Sequence, residues 1–185
     1  TDNRPCTTSI TGCTNEGKVE SIAKGNHTYT AGICIIYNGS NGSTYADELI
    51  INNCVNNGEI EGDTVAGIIG NGAINGRYSA GGIAQCIENK NSNEAEVSNC
   101  INNGNVFGGE EAAGIIDYAE GITVTNCINN GNISSNGYVG GIFSYTSSVK
   151  GTGLVNNGKI SGLEDIGGIS AYDEGNSIFS KLYNT

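Results

Sequence analysis

The chain has 185 residues, with 30 Gly, 27 Asn and 24 Ile but one Pro and no Met or Trp. Gly and Asn tolerate the left-handed backbone of tight turns, so their excess argues against a helical protein, and irregular Gly spacing with almost no Pro excludes collagen. Nineteen acidic residues against eight basic ones give a formal charge of −11, which would repel phosphate backbones and anionic membrane surfaces and sets nucleic acid aside as a partner. The isoleucines speak for a core rather than disorder. No apolar run reaches the length of a membrane span, and Thr1 to Thr8 have no signal-peptide pattern. A chain that opens on Thr and contains no Met reads as a segment of a longer protein.

Taken in chain order, the same short pattern recurs. Its first copy has Ile10, Gly12, Cys13, a degenerate Asn15-Glu16-Gly17, Val19 and Ala31-Gly32-Ile33. The second has Ile51, Asn53, Cys54, Asn56-Asn57-Gly58, Ile60 and Ala66-Gly67-Ile68. An additional Gly81-Gly82-Ile83 precedes the third copy, which runs Val97, Asn99, Cys100, Asn102-Asn103-Gly104, Val106 and Ala113-Gly114-Ile115. The fourth has Val124, Asn126, Cys127, Asn129-Asn130-Gly131, Ile133 and Gly140-Gly141-Ile142. The fifth replaces the apolar anchor by Gly151 and the cysteine by Leu154, then continues with Asn156-Asn157-Gly158, Ile160 and Gly167-Gly168-Ile169. In the last three copies the unit is 27 residues long.

Such units predict strands of three to six residues separated by Gly/Asn corners. No strand of this length buries its apolar residues alone, whereas stacked units place each Ile or Val over its equivalent and pair every backbone with the next layer. The expected fold is all-β: one β-solenoid domain over 1–185, a parallel β-helix of about 27 residues per coil and five to six coils, with right-handed winding. The repeat region spans 9–172, interrupted by insertions at 37–48, 70–80 and 87–96. Helical repeats conflict with the Gly and Asn content, and a propeller blade needs a longer unit. A β-sandwich with an accidental repeat is the competing architecture.

The Cys-Ile-Asn-Asn-Gly-Asn-Val/Ile and Gly-Gly-Ile elements resemble the GLUG-type repeats of bacterial surface and secreted proteins, among them adhesins and the N-terminal regions of immunoglobulin A-cleaving metalloproteases. The strict Gly-aliphatic-apolar-Gly core is met only at Gly67-Ile68-Ile69-Gly70; elsewhere Asp117, Ser144 or Ala171 takes the fourth place. The resemblance implies an extracellular β-rich stalk or adhesive module and transfers no catalytic residues.

Several features could carry chemistry. Cys13, Cys54, Cys100 and Cys127 share one repeat position and are expected to form a structural ladder, either as reduced core residues or with a bridge among the seven cysteines. Cys6, Cys34 and Cys86 lie off that ladder and are the better disulfide partners. Asn56, Asn102, Asn129 and Asn156 are expected to stack and bond from coil to coil. Tyr118, Tyr145 and Tyr172, spaced by 27, would form either an aromatic stack closing a corner or a platform for glycan rings. Acidic residues gather at Glu59, Glu61 and Asp63, Glu110 and Glu111, Asp117 and Glu120, Glu164 and Asp165, and Asp173 and Glu174; they read as solvated edges, with calcium the alternative. No other cofactor or metal is implied. Asn26, Asn38, Asn41 and Asn132 head glycosylation sequons.

With Arg4 and Arg77 the only arginines and His27 the only histidine, no catalytic set is recognisable, and the chain reads as non-enzymatic. The expected function is an extracellular stalk or adhesive module that meets a host or matrix protein or a glycan through its insertions. Self-assembly by end-to-end stacking and a glycan-binding or polysaccharide-cleaving β-helix are the alternatives.

Overall fold

The computed structural model describes residues 7–16, 18–20, 29–31, 48–56, 60–66, 74–88 and 95–185. Every regular element among them is a strand, and every pairing is parallel. The architecture is a β-solenoid. Over its last three turns Glu96 pairs with Thr123, Thr123 with Lys150, and Lys150 with Ile178. The repeat is therefore 27 residues, with one more in the final turn, where the corner contains both Gly175 (φ 131°) and Asn176 (φ 62°) instead of a single Ser148 (φ 54°).

Each turn passes through four faces. Sheet I stacks Thr7–Thr11, Glu48–Asn52, Ala95–Ser98, Thr123–Thr125, Lys150–Thr152 and Ile178–Ser180. A left-handed corner follows each of these strands, held by Gly12, Asn53, Asn99, Asn126, Gly153 and Lys181 with φ between 51° and 66°. Gly and Asn recur there because an ordinary side chain resists that conformation. Sheet II stacks Ile101–Asn102, Ile128–Asn129, Val155–Asn156 and Tyr183–Asn184. Sheet III carries two short strands per turn, Val106–Phe107 and Glu111–Ala113 in one, Ile133–Ser134 and Tyr138–Gly140 in the next, Ile160–Ser161 and Ile166–Gly167 after that. Sheet IV stacks Ala84–Glu88, Ile116–Glu120, Phe143–Ser147 and Ser170–Asp173.

Two apolar columns fill the interior. The larger joins sheets I and IV and includes Val97, Cys100, Ile115, Ile116, Ala119, Ile122 and Val124 with their equivalents in neighbouring turns. The smaller lies within the arms of sheet III and consists of Ala80, Val106, Ala112, Ile133 and Val139, with Ile160 packed on it. Between them the coil narrows to a waist. A Cβ added to Gly114 would lie 2.5 Å from Asn129 Cγ, and one added to Gly141 would lie 2.7 Å from Asn156 Cγ. The two repeat motifs therefore meet: the Gly of the small-Gly-Ile corner leaves room for the first Asn of Asn-Asn-Gly.

Where the anchor column reads Gly151, a Cβ would come within 2.5 Å of the Phe179 ring. Phe179 thus fills the space that Val124 and Val97 fill in the preceding turns, and its ring packs 5.9 Å from that of Phe143.

The N-terminal half departs from the expected pattern in two ways. The 70–80 stretch is not simply an insertion, because Ile74–Gly81 is an extra strand of sheet III between Ile60–Ala66 and the Val106–Phe107/Glu111–Ala113 turn. Ile74 thereby takes the register position between Ile60 and Val106. This strand has no counterpart in sheet I, where Glu48–Asn52 pairs directly with Ala95–Ser98. The second departure follows: Val55–Asn56 pairs with Thr14–Asn15, while Ile101–Asn102 begins a separate sheet. The side chain of Asn56, which its motif assigned to the column of Asn102, Asn129 and Asn156, lies outside the described residues. The 37–47 and 89–94 parts of the other insertions lie outside the described residues, and Glu48, Ile87, Glu88, Ala95 and Glu96 belong to strands.

The waist is closed by a ladder of amides, of which Asn102, Asn129 and Asn156 are fully buried. Asn102 Nδ2 donates to Asn129 Oδ1 at 2.7 Å, Asn129 Nδ2 to Asn156 Oδ1 at 2.7 Å, and Asn156 Nδ2 to Asn184 Oδ1 at 2.8 Å. Each of the first three also donates to the carbonyl two residues on, that of Gly104, Gly131 or Gly158, at 2.7 to 2.9 Å. An outer ladder runs beside it, with Asn130 donating to Asn103 and Asn157 to Asn130, both at 2.8 Å in solvent. Replacing Asn129 by Ala removes one hydrogen-bond partner from the Asn102 amide and one from the Asn156 oxygen, both fully buried, at an expected cost of about 2–5 kcal/mol. Asn130→Ala, one residue away, should cost less than about 1 kcal/mol because water replaces the lost bond. Urea denaturation of the two variants checks the difference.

Candidate functional site

The sequence pointed to three columns, and the sheet register decides which residues each contains. In sheet IV, Tyr118 pairs with Tyr145 and Tyr145 with Tyr172, so the 27-residue spacing becomes vertical alignment. The Tyr118 and Tyr145 ring centroids are 4.6 Å apart with planes 9° apart, and those of Tyr145 and Tyr172 are 5.2 Å and 29°. Cys86 occupies the next register position below Tyr118. It lies at the foot of the tyrosine column. Cys6 and Cys34 lie outside the described residues.

Coaxial stacking turns the ring faces toward one another. A sugar ring that seeks a full aromatic face is offered one at the end of the column, on Tyr172, which is 44% exposed. Tyr138, which the 27-residue spacing did not single out, tilts against Tyr172 at 6.3 Å from sheet III.

The hydroxyl ends are acidic ground. Tyr118 Oη donates to Glu120 Oε2 at 3.4 Å. A hydrogen bond to Glu174, with lesser contributions from burial and from the charges of Glu174, Tyr172 and Glu120, raises the Tyr145 phenol to about 12. The sequence held a usable signal for this: Glu120 and Glu174 each follow a column tyrosine by two residues, which in a strand is the same face. Beside Tyr138 a cavity of about 260 Å³ is lined by Glu110, Glu111 and Glu164. Burial, and then the charge of Glu110, raises the Glu111 carboxyl above its usual range. This face disfavours anions and is suited to cationic or neutral polar groups.

Not every acidic residue is solvated as expected. Asp117 is fully buried; the Ser144 hydroxyl of the next turn donates to its carboxylate and, at 2.6 Å, to its backbone carbonyl. Ser144 takes the corresponding place one turn later, so the fourth position of the Gly-Ile element holds a polar pair there. Among the described residues no group of three or more His, Cys, Asp or Glu side chains converges as a metal site would.

The cysteine column lies on the inner side of the corner between sheets I and II. Cys13, Cys54, Cys100 and Cys127 are unbonded thiols; the last three are buried and Cys13 is half-buried. Their S–H groups point at backbone carbonyls, Cys54 at Ile10 and Asn52, Cys100 at Ser98, and Cys127 at Thr125, at 3.2 to 3.4 Å. Burial raises the Cys54 thiol, while contact with the Cys100 thiol, followed by burial, holds Cys127 well above the usual range. The same contact with Cys127 lowers the Cys100 thiol; Cys54 and Cys127, both raised, are the poor nucleophiles of the column and act as small apolar side chains.

No family model, curated protein or solved structure matches the chain. Of the sequon asparagines, Asn26, Asn38 and Asn41 lie outside the described residues. Asn132 is exposed, and its Oδ1 accepts the Lys159 amide of the next turn at 3.0 Å.

The tyrosine column gives a pH signature. An unfolded tyrosine ionises near 10, so a folded Tyr145 near 12 contributes stability below pH 10 that is lost as the pH rises from about 10 to 12. Absorbance titration against Tyr145→Phe should assign one late-ionising phenol to this position. Glu174→Gln should bring that ionisation down toward 10 and reduce the loss of stability across the same window.

Proposed function

We propose that this chain is a non-enzymatic, extracellular β-solenoid serving as a stalk or adhesive module of a cell-surface protein. The observation that carries the reading is the buried asparagine ladder. From Asn102 to Asn184 it ties one turn to the next through side chains as well as backbone, which suits a stiff spacer that holds recognition elements at a distance. The likeness of the repeat to GLUG-type surface proteins supports the same reading, and the charge of −11 favours solubility and discourages lateral clumping.

Recognition is assigned to residues 37–47 and 89–94 of the insertions, because segments between the strands of a rigid frame can vary in sequence at little cost to the core. The partner is a host or matrix protein or a glycan. Binding of the purified chain to host cells, matrix proteins and a glycan array tests the assignment. Deleting residues 38–46 or 89–94 should abolish binding while leaving the unfolding midpoint within a few degrees of the parent. Undiminished binding by both deletions would overturn the assignment to the insertions, and a glycan signal lost in Tyr172→Ala would move it to the end of the tyrosine column.

A further inference from the structure

The outer asparagines of the waist are each followed by a glycine, at Asn103-Gly104, Asn130-Gly131 and Asn157-Gly158. A fourth such step, Asn136-Gly137, lies between the sheet III strands Ile133–Ser134 and Tyr138–Gly140. In all four the asparagine is exposed and the glycine buried. Asn-Gly is among the least durable steps of a polypeptide, because glycine puts no side chain in the way when its own backbone nitrogen turns on the preceding carboxamide. That nitrogen loses its proton and bonds to the asparagine Cγ. The Cγ–Nδ2 bond breaks, ammonia leaves, and the succinimide ring takes up one water to give aspartate or isoaspartate, with no oxidant or reductant involved. The fold cannot avoid the hazard by changing the glycine. A Cβ on Gly131, Gly137 or Gly158 would run into the carbonyl oxygen of Gly104, Glu110 or Gly131 respectively.

We propose that Asn103, Asn136 and Asn157 are latent deamidation sites, silenced in the folded chain by a hydrogen bond that holds the attacking nitrogen. The Gly104 N–H donates to Asn102 Oδ1 at 3.1 Å and the Gly158 N–H to Asn156 Oδ1 at 3.3 Å. At the fourth step the Gly137 N–H donates to Ser135 Oγ at 2.9 Å. In each case the guard is the side chain just before the threatened asparagine, and each guard is buried. A nitrogen in such a bond keeps its proton and directs it at the guard. Asn and Ser thus do the same work at different corners, which points to the acceptor oxygen as the shared requirement. The outer ladder adds a second restraint. Asn103 Oδ1 accepts from Asn130, and Asn157 donates to Asn130 Oδ1, so neither carboxamide swings toward its glycine without giving up a bond. Opening of a turn releases both restraints, and the conversion is one-way. An aspartate at position 157 cannot donate to Asn130, and an isoaspartate adds a methylene to the main chain of a corner whose register is fixed by stacking. The inner asparagines therefore preserve the chain chemically as well as mechanically, and this role does not depend on the adhesive reading.

Peptide mapping by mass spectrometry, which detects the mass gained when an amide becomes an acid, tests the proposal on the whole chain incubated at neutral pH, folded and in urea. Conversion at Asn103, Asn136 and Asn157 should be about a hundredfold or more slower in the folded chain, because each site waits for its turn to open. Ser135→Ala removes the guard of Asn136 alone. It should speed conversion there about five- to tenfold, the weight of one hydrogen bond, and leave Asn103 and Asn157 at the parent rate. Asn156→Ala should do the same at Asn157. Val124→Ala, which opens a cavity in the larger apolar column without touching a guard, should leave all three rates as they are in the parent. Equal rates in the folded and unfolded chain would overturn the proposal, as would an unchanged Asn136 rate in folded Ser135→Ala. A similar rise at all three sites in Val124→Ala and Ser135→Ala would also overturn it, by tracing the protection to overall stability. If Asn156→Ala unfolds, as circular dichroism would show, Ser135→Ala decides.

Discussion

The fold depends on a set of polar groups removed from water. Asn102, Asn129 and Asn156 are completely buried, and an amide in that position is costly unless its hydrogen bonds are made. Asn156 makes four: it receives the Asn129 amide and the Gly158 backbone N–H, and gives its own two protons to Gly158 and Asn184. Satisfying one asparagine requires another a turn away. This requirement penalises a slip of register more strongly than apolar contact does, because Ile and Val tolerate sliding and an amide chain does not.

The glycines follow from the same demand. A ladder placed between two apolar columns needs the opposite wall to come close, and Gly114 and Gly141 allow that approach. Gly131 and Gly158 serve a second need: a Cβ on either would lie 1.8 Å from the carbonyl oxygen of the turn below. Asn-Asn-Gly and small-Gly-Ile look like independent motifs in the sequence but are two walls of one narrow passage.

Periodicity made the coil legible because identical residues at a fixed spacing are forced into alignment when turns stack. Hence the cysteine and tyrosine columns could be drawn up from the sequence. What the spacing hid were members that lack the motif. Asn184 is followed by Thr rather than Asn-Gly, Tyr138 belongs to the neighbouring sheet, and Phe179 compensates for Gly151 from a turn away. The strand at Ile74–Gly81 was obscured for a related reason: it adds a layer to one sheet alone, and a change confined to one face leaves no period to detect. Asp117 looked like part of a solvated edge because its partner, Ser144, becomes a neighbour only after stacking.

The filling of the Gly151 site by Phe179 has an implication for how such a chain can change. Volume in this column is balanced across adjoining turns rather than within each one. A unit could not be duplicated, deleted or exchanged as a self-contained block without leaving a hole beside Gly151 or crowding a valine against a phenylalanine. The repeat is regular in its hydrogen bonds but individual in its core, so its sequence should drift by paired substitutions one turn apart.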